Sequence, residues 1–358
     1  MIYIHIPFCR SFCTYCDFYS EKATAEGFTE FTDAVCEEIR RRALEFDTSL
    51  NTLYLGGGTP SQLPLQDLTR ILLTLEECGH GGPFTEFTME VNPEDIVERG
   101  LPYLHSLRSL GVNRVSMGVQ SFDDGLLRWM NRRHDSERAC RAFGLLREAG
   151  FGNIGLDLIF GLSNLEDAVW EETIKKAVEL HPEHISCYQL TVEGDSVLAH
   201  RLENGEYTEA SDEQCRRQYD MLCRALGEAG YLHYEISNFC LPGFEARHNQ
   251  GYWERRPYVG LGPSAHSFGG NVRGWNSSEL SGYTYTQESL SPEDEKMEKL
   301  MLSLRTSRGA QASFLEANCP ASAIVTLVKN GALQRQGAYY RIPEDHFFVS
   351  DEIIRELV

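Results

Sequence analysis

Residues 2–204 repeat one pattern, and it restricts the fold more than any other feature of the chain. A short apolar run comes first, and an amphipathic stretch of helical period follows it. The runs are "IYIHI" (2–6), "NTLYL" (51–55), "EFTMEV" (86–91), "NRVSMGV" (113–119), "NIGLDLIF" (153–160) and "EHISCYQL" (183–190). Each is rich in Val, Ile, Leu, Tyr or Phe and too short for a stable lone helix. Between them the spacing predicts helices over 28–46, 65–78, 101–110, 136–149 and 166–180. In the first, Phe28, Phe31, Val35, Ile39 and Phe46 trace one face. Strand–helix units in series imply parallel strands joined by right-handed crossovers. Six such units fall short of the eight that close a barrel. The expected fold is therefore α/β: a partial (β/α)6 TIM-like barrel, open on one side, over 1–204. An open doubly wound sheet is the alternative.

The pattern changes beyond residue 205. A helix is predicted over 211–229, then a glycine- and aromatic-rich tract over 231–285, and another helix over 292–308. The end reads as a helix near 321–329, short strands near 338–342 and 346–349, and a last helix from 351. The division expected is a barrel over 1–204, a linking region over 205–290 and a smaller α+β C-terminal domain over 291–358. The order of elements in that domain resembles a winged helix. A covering domain is favoured over a DNA-binding one, because a net charge of −20 repels a phosphate backbone. No apolar run is long enough to cross a bilayer. "MIYIHIPFC" lacks a basic segment and an extended apolar core, so the expected location is the cytoplasm.

Eleven cysteines are present, but Cys36, Cys78, Cys140, Cys187, Cys215, Cys223, Cys240 and Cys319 are scattered. In a reducing compartment such residues are small buried hydrophobes. Cys9, Cys13 and Cys16 are different, being clustered in "PFCRSFCTYCDF". Structural zinc wants four ligands, and His5 is the nearest fourth, but no second Cys or His pair follows at finger spacing. A [4Fe-4S] cluster accounts for three thiolates better: three irons are held and the fourth keeps an open position. That iron can be chelated by the amino and carboxylate groups of S-adenosyl-L-methionine (SAM). An electron from the cluster can then cleave the sulfonium and release a 5′-deoxyadenosyl radical.

Cys-x3-Cys-x2-Cys with an aromatic residue, Tyr15, before the last cysteine resembles the radical SAM signature. Glycines that let a backbone approach a ligand closely, and then polar residues, follow at successive strand ends, the face on which barrel sites form. They are Gly57, Gly58 and Thr59 in "LGGGTPS", Glu90 in "TMEVNP" and Gln120 in "SMGVQSF", with Arg132 in "RWMNRRH" and Asp157 in "IGLDLIFG". Asp157 stands out, since a carboxylate within an apolar run needs a partner. "YIHIPFC", "YLGGGTPS", "MEVNPE", "RVSMGVQSF" and "GLDLIFGL" together resemble the oxygen-independent coproporphyrinogen III oxidase family over nearly the whole chain. That resemblance implies that Tyr3, Gly57, Gly58, Thr59, Glu90, Gln120, Arg132 and Asp157 bind SAM. In it the glycine stretch contacts the methionine amino group, Arg132 meets a carboxylate and Asp157 accepts from ribose hydroxyls.

Two branches of the family differ in function. The oxidase branch carries a further cysteine two residues after the third and an N-terminal extension. Here the equivalent residue is Phe18, and the first strand starts at residue 2. The heme chaperone branch, HemW, is marked by His-Asn-x-x-Tyr-Trp, and this chain has "HNQGYW" at 248–253. The resemblance implies heme as a cofactor, with His248 as axial ligand and Tyr252 and Trp253 offering flat apolar surface. His266 in "GPSAH" is the other candidate ligand. Read from spacing alone, His248 and Asn249 equally suit a loop-bonding role, with Trp253 sealing a seam. The implied partners are apo-hemoproteins of the respiratory chain and bacterioferritin, with peripheral membrane association through those partners, a homodimer and no nucleic acid. Oxidative decarboxylation of coproporphyrinogen III is the alternative activity. No catalytic residue is identified.

Overall fold

In the computed structural model, which describes residues 1–46, 51–194 and 196–358, each apolar run forms a strand. They are β1 (Ile2–Ile6), β2 (Thr52–Gly57), β3 (Glu86–Val91), β4 (Arg114–Gln120), β5 (Ile154–Phe160) and β6 (His184–Gln189). The crossovers carry α1 (Ala25–Arg41), α2 (Leu65–Glu77), α3 (Pro93–Ser109), α4 (Asp124–Trp129), α5 (Ser136–Glu148) and α6 (Asp167–Glu179). Next come α7 (Val197–Glu203), α8 (Asp212–Glu228), β7 (Leu232–Glu235), β8 (Asn238–Cys240), α9 (Arg247–Trp253) and β9 (Val259–Leu261). Helix α3 begins earlier than the expected 101–110. Pro93 is preset for a first helical turn, and Gly100 at φ 64° then breaks the helix ahead of Pro102.

One nine-stranded sheet organises the molecule, in the order β9-β1-β2-β3-β4-β5-β6-β8-β7. β1 to β6 are parallel, β9 adds parallel to β1, and β8 and β7 add antiparallel beyond β6. The segment 205–290, expected as a link, thus extends the sheet at both edges. Alternate strand residues split between two environments. Ile2, Ile4, Ile6, Leu53, Leu55, Phe87, Met89, Val115, Met117, Leu156 and Leu158 join the helices in one apolar core. The other set is polar and comes level across the sheet. Tyr3 pairs with Tyr54, Glu90 with Ser116, and Gly118 with Asp157, which pairs in turn with Ser186. Side chains from β2 through β6 line one cavity, so the sheet curls around its polar face.

β10 (His266–Gly269), β11 (Val272–Asn276) and β12 (Tyr285–Ser289) form a separate antiparallel sheet. The C-terminal part runs α10 (Pro292–Leu304), β13 (Ala310–Gln311), α11 (Ala312–Asn318), α12 (Ala321–Lys329), β14 (Gln334–Gln336), β15 (Tyr339–Arg341) and α13 (Ser350–Arg355). Its sheet order, β13-β15-β14, is that of a winged helix. One expectation fails here, because 346–349 is not a strand. Pro343 sets φ for a helical turn and two acidic residues follow it, so 344–349 winds as a 3-10 helix that buries Phe347. The hairpin lies upstream, turning at Gly337 with φ 60°.

Candidate functional site

The cysteine loop leaves the C-terminal end of β1 and is tied down across the mouth of the sheet. Thr14 N–H donates to Met130 O (3.2 Å), Asn131 Nδ2 donates to Phe12 O (2.8 Å), and Leu198 N–H donates to Thr14 O (2.8 Å). The root of the loop rests on the glycine stretch after β2. Gly58 N–H donates to Ile6 O at 2.9 Å, and a Cβ at Gly58 would come within 2.8 Å of the Pro7 carbonyl carbon. At Gly57, with φ 111°, a Cβ would strike the His5 ring. Only glycine permits both approaches.

Cys9, Cys13 and Cys16 are free thiols, all half-buried, and all line one cavity of about 560 Å³. That volume lies within the ~300–1,000 Å³ typical of small-molecule sites. Burial pushes the Cys16 thiol up to about 12 and raises Cys9 despite its contact with Thr59. A metal bound there would displace those protons. His5 is not available as a fourth ligand. Its Nε2 meets Tyr19 O (3.0 Å) and its Nδ1 meets the Tyr3 hydroxyl (3.2 Å). Among the described residues no three His, Cys, Asp or Glu converge as ligands of a single ion would. A [4Fe-4S] cluster spreads its thiolates over separate irons and does not need that convergence. Three thiols around one cavity with nothing to complete a zinc tetrahedron therefore fit the cluster.

The same cavity is lined by Gly57, Gly58, Thr59, Glu90, Gln120, Arg132 and Asp157. Glu90 accepts from the Tyr54 hydroxyl (2.7 Å) and from Gly57 N–H (3.2 Å). Burial, with the Asp157 charge adding to it, still pushes its carboxyl up to about 7. Asp157 has its partner in the Ser116 hydroxyl, at 3.1 and 3.2 Å from its two oxygens, and burial raises it as well. Gln120 leaves β4 at φ 66°, which turns its amide back over Gly118. Arg132 Nη2 donates to Asn92 Oδ1 and to Gly118 O, both at 2.6 Å, while Nη1 faces Cys13 Sγ at 3.5 Å. Its Nε is buried and has no hydrogen-bond partner. Tyr3 lies behind this wall, bonded to His5. Tyr54, Asn92, Ser116 and Tyr188 also line the cavity and were not singled out from sequence. The alternation of β2, β4 and β6 was the signal for Tyr54, Ser116 and Tyr188, which share a face with Glu90 and Asp157; Asn92 stands at the N-cap of α3, just beyond β3.

The "HNQGYW" segment lies elsewhere. It forms α9, docked against the N-terminal ends of β2 and β3. The Glu86 carboxylate accepts from the backbone N–H groups of Arg247 (2.8 Å) and His248 (2.9 Å). His248 is fully buried, with Nδ1 2.9 Å from the Thr52 hydroxyl and Nε2 2.9 Å from the Tyr252 hydroxyl. Burial, then the N-terminal amine and Arg114, lower it to about 3. The neutral imidazole has both nitrogens engaged and its ring against Tyr54, at 5.1 Å between centroids. Trp253 ends the helix half-buried. This arrangement does not present His248 to an iron. His266 is exposed and lies nearly parallel to Trp275, at 6.3 Å and 28°.

Residues 3–177 match the radical SAM superfamily. The chain is 33% identical over 322 residues to the heme chaperone HemW of Lactococcus lactis, covering 88% of this chain and 83% of that one. It is 35% identical over 350 residues to HemW of Synechocystis, covering 92% and 84%. Among solved structures it is similar to the coproporphyrinogen III oxidase HemN of Escherichia coli, a radical SAM enzyme. The TM-score is 0.83 over 99% of this chain and 89% of that one, at 23% identity. Among the described residues no helix is long and apolar enough to cross a membrane.

Proposed function

The chain belongs to the HemW family of heme chaperones, built on the radical SAM fold, and from that premise we propose that it binds heme and delivers it to apo-hemoproteins. Cys9, Cys13 and Cys16 hold a [4Fe-4S] cluster, and the cavity beside them takes SAM. When bound, the cluster supplies one electron and an iron with an open position. The protein's part is to orient the cofactor and shelter it from water. Glu90, fixed by Tyr54 and Gly57, is the carboxylate that receives the amino group. Arg132, whose guanidinium lines the cavity, is the cation for the carboxylate. Asp157, held by Ser116, takes the ribose hydroxyls. Gly57, Gly58, Thr59 and Gln120 complete the wall, and Tyr3 packs behind it with its hydroxyl on His5.

One observation carries the choice of chaperone over oxidase. Phe18, exposed on the cavity rim, stands where the oxidase branch has its additional cysteine. For heme, the family motif assigns His248, Tyr252 and Trp253, but the packing of α9 requires that helix to shift before His248 can ligate. His266, beside Trp275, is the imidazole reachable without rearrangement. The acceptors we propose are respiratory-chain apo-hemoproteins and bacterioferritin, with a homodimer as the assembly.

The test joins heme titration to transfer. Heme-loaded protein is mixed with an apo-hemoprotein, and the Soret band is followed as it moves to the acceptor. The expected result is transfer without conversion of added coproporphyrinogen III. Stoichiometric protoporphyrinogen formation in the presence of SAM and reductant contradicts the assignment and returns the oxidase.

A further inference from the structure

Two cysteines of the loop are joined through three side chains that are not metal ligands. Cys9 Sγ lies 3.3 Å from Thr59 Oγ1. Asn92 Nδ2 lies 3.2 Å from that same oxygen, and Asn92 Oδ1 lies 2.6 Å from Arg132 Nη2. Arg132 Nη1 closes the path at 3.5 Å from Cys13 Sγ. The direction of each bond follows from which groups can donate. A guanidinium only donates, so the Asn92 oxygen must face Arg132 and its NH2 must face Thr59. The Thr59 oxygen is then an acceptor toward Asn92, which leaves its single proton for Cys9. A thiolate there only accepts. Asn92 thus turns one donor onto each of two sulfurs.

The hub is itself held in place. Asn92 N–H donates to Ser61 Oγ at 3.3 Å, and the Ser61 hydroxyl donates to Asp95 at 2.6 Å. Arg132 Nη2 is pinned a second time by Gly118 O.

We propose that Asn92 is a positioning residue that sets the reduction potential of the cluster by aiming Thr59 at Cys9 and Arg132 at Cys13. The inference rests on the cluster reading of the three cysteines. Hydrogen bonds to cluster sulfurs withdraw charge and favour the reduced form. An aspartate at 92 has the same shape but only acceptors. It takes the Thr59 proton away from Cys9, and its charge offsets that of Arg132. Both effects favour the oxidised cluster.

The experiment is an anaerobic redox titration with dithionite, each cluster taking one electron, followed by electron paramagnetic resonance without SAM. Iron and sulfide are counted first in wild type, Asn92→Asp, Asn92→Ala, Thr59→Val and Thr59→Ser. Asn92→Asp is expected to load as wild type does and to show a lower midpoint. At the wild-type midpoint its reduced-to-oxidised ratio falls about tenfold, equivalent to ~59 mV for one electron. Thr59→Val moves the same way by less, and Thr59→Ser returns to the wild-type value. Should Asn92→Asp fail to load iron, Asn92→Ala and Thr59→Val decide by the same readout. Loaded variants with unmoved midpoints overturn the proposal. A wild-type chain that binds no iron–sulfur cluster is a separate result, and it overturns the underlying reading along with the proposal.

Discussion

Glu90→Gln isolates the carboxylate that we assign to the amino group of SAM, and its effect should depend on pH in a defined way. In the ligand-free site burial holds Glu90 near 7. At pH 8 roughly ten in eleven molecules carry the charge there, and at pH 6 roughly one in eleven does, because each unit changes the ratio tenfold. A hydrogen bond to a charged partner contributes about 1.5–3 kcal/mol, so at pH 8 Gln should weaken SAM binding by roughly 10- to 150-fold. At pH 6 the wild type must first lose a proton, which costs about 1.4 kcal/mol, and the difference between the two proteins shrinks about tenfold. The amine of SAM titrates in the same range, but it does so against both proteins, and the ratio of affinities cancels it. The linkage also has a stability side. A carboxyl raised from 4.5 to about 7 binds its proton more tightly folded than unfolded. The ligand-free fold is therefore favoured most below 4.5 and loses stability as pH rises through 7. The assay is calorimetric titration of cluster-loaded protein with SAM at pH 6, 7 and 8 under nitrogen. A wild-type-to-variant ratio that stays constant across that range refutes the assignment.

Removing the hydroxyl with Tyr54→Phe takes away the 2.7 Å bond that partly offsets Glu90's burial. The pH midpoint of SAM binding should then move above 7, and an unmoved midpoint shows that Tyr54 does not hold Glu90. His248→Ala leaves the Thr52 and Tyr252 hydroxyls without their partner and opens a cavity. Denaturant unfolding should show a loss of about 2–4 kcal/mol, and a loss below about 1 kcal/mol contradicts the anchoring role. Heme titration of His248→Ala beside His266→Ala separates the two imidazoles. If His266 is the ligand, its variant alone shifts the Soret band, and a shift confined to His248→Ala shows that α9 opens to admit the iron.

The barrel was readable because its strands are apolar on one face and its crossovers keep helical period. Each of the six runs became a strand within two residues of its expected bounds. That Cys9, Cys13, Cys16 and the strand-end residues share one cavity was readable because barrel sites form at the C-terminal ends of strands. What escaped has physical reasons. Tyr54, Ser116 and Tyr188 look like ordinary strand residues until the curl of the sheet turns their faces toward one another. Asn92 looks like a helix cap, and its link to Arg132 spans 40 residues. The contribution of 232–261 to the sheet edges was hidden because β7, β8 and β9 have only three or four residues each. The strand expected at 346–349 followed apolar residues that a 3-10 turn buries equally well. His248 was placed by its motif, but sequence carried no sign that Thr52 and Tyr252 engage both ring nitrogens.

Anaerobic reconstitution followed by an iron and acid-labile sulfide count tests the central claim most directly. Wild-type chain should carry about four of each, and a variant with Cys9, Cys13 and Cys16 all changed to alanine should carry none. Equal loading of the two proteins would contradict the account, because the irons would then be held by residues outside the loop on which the SAM site depends.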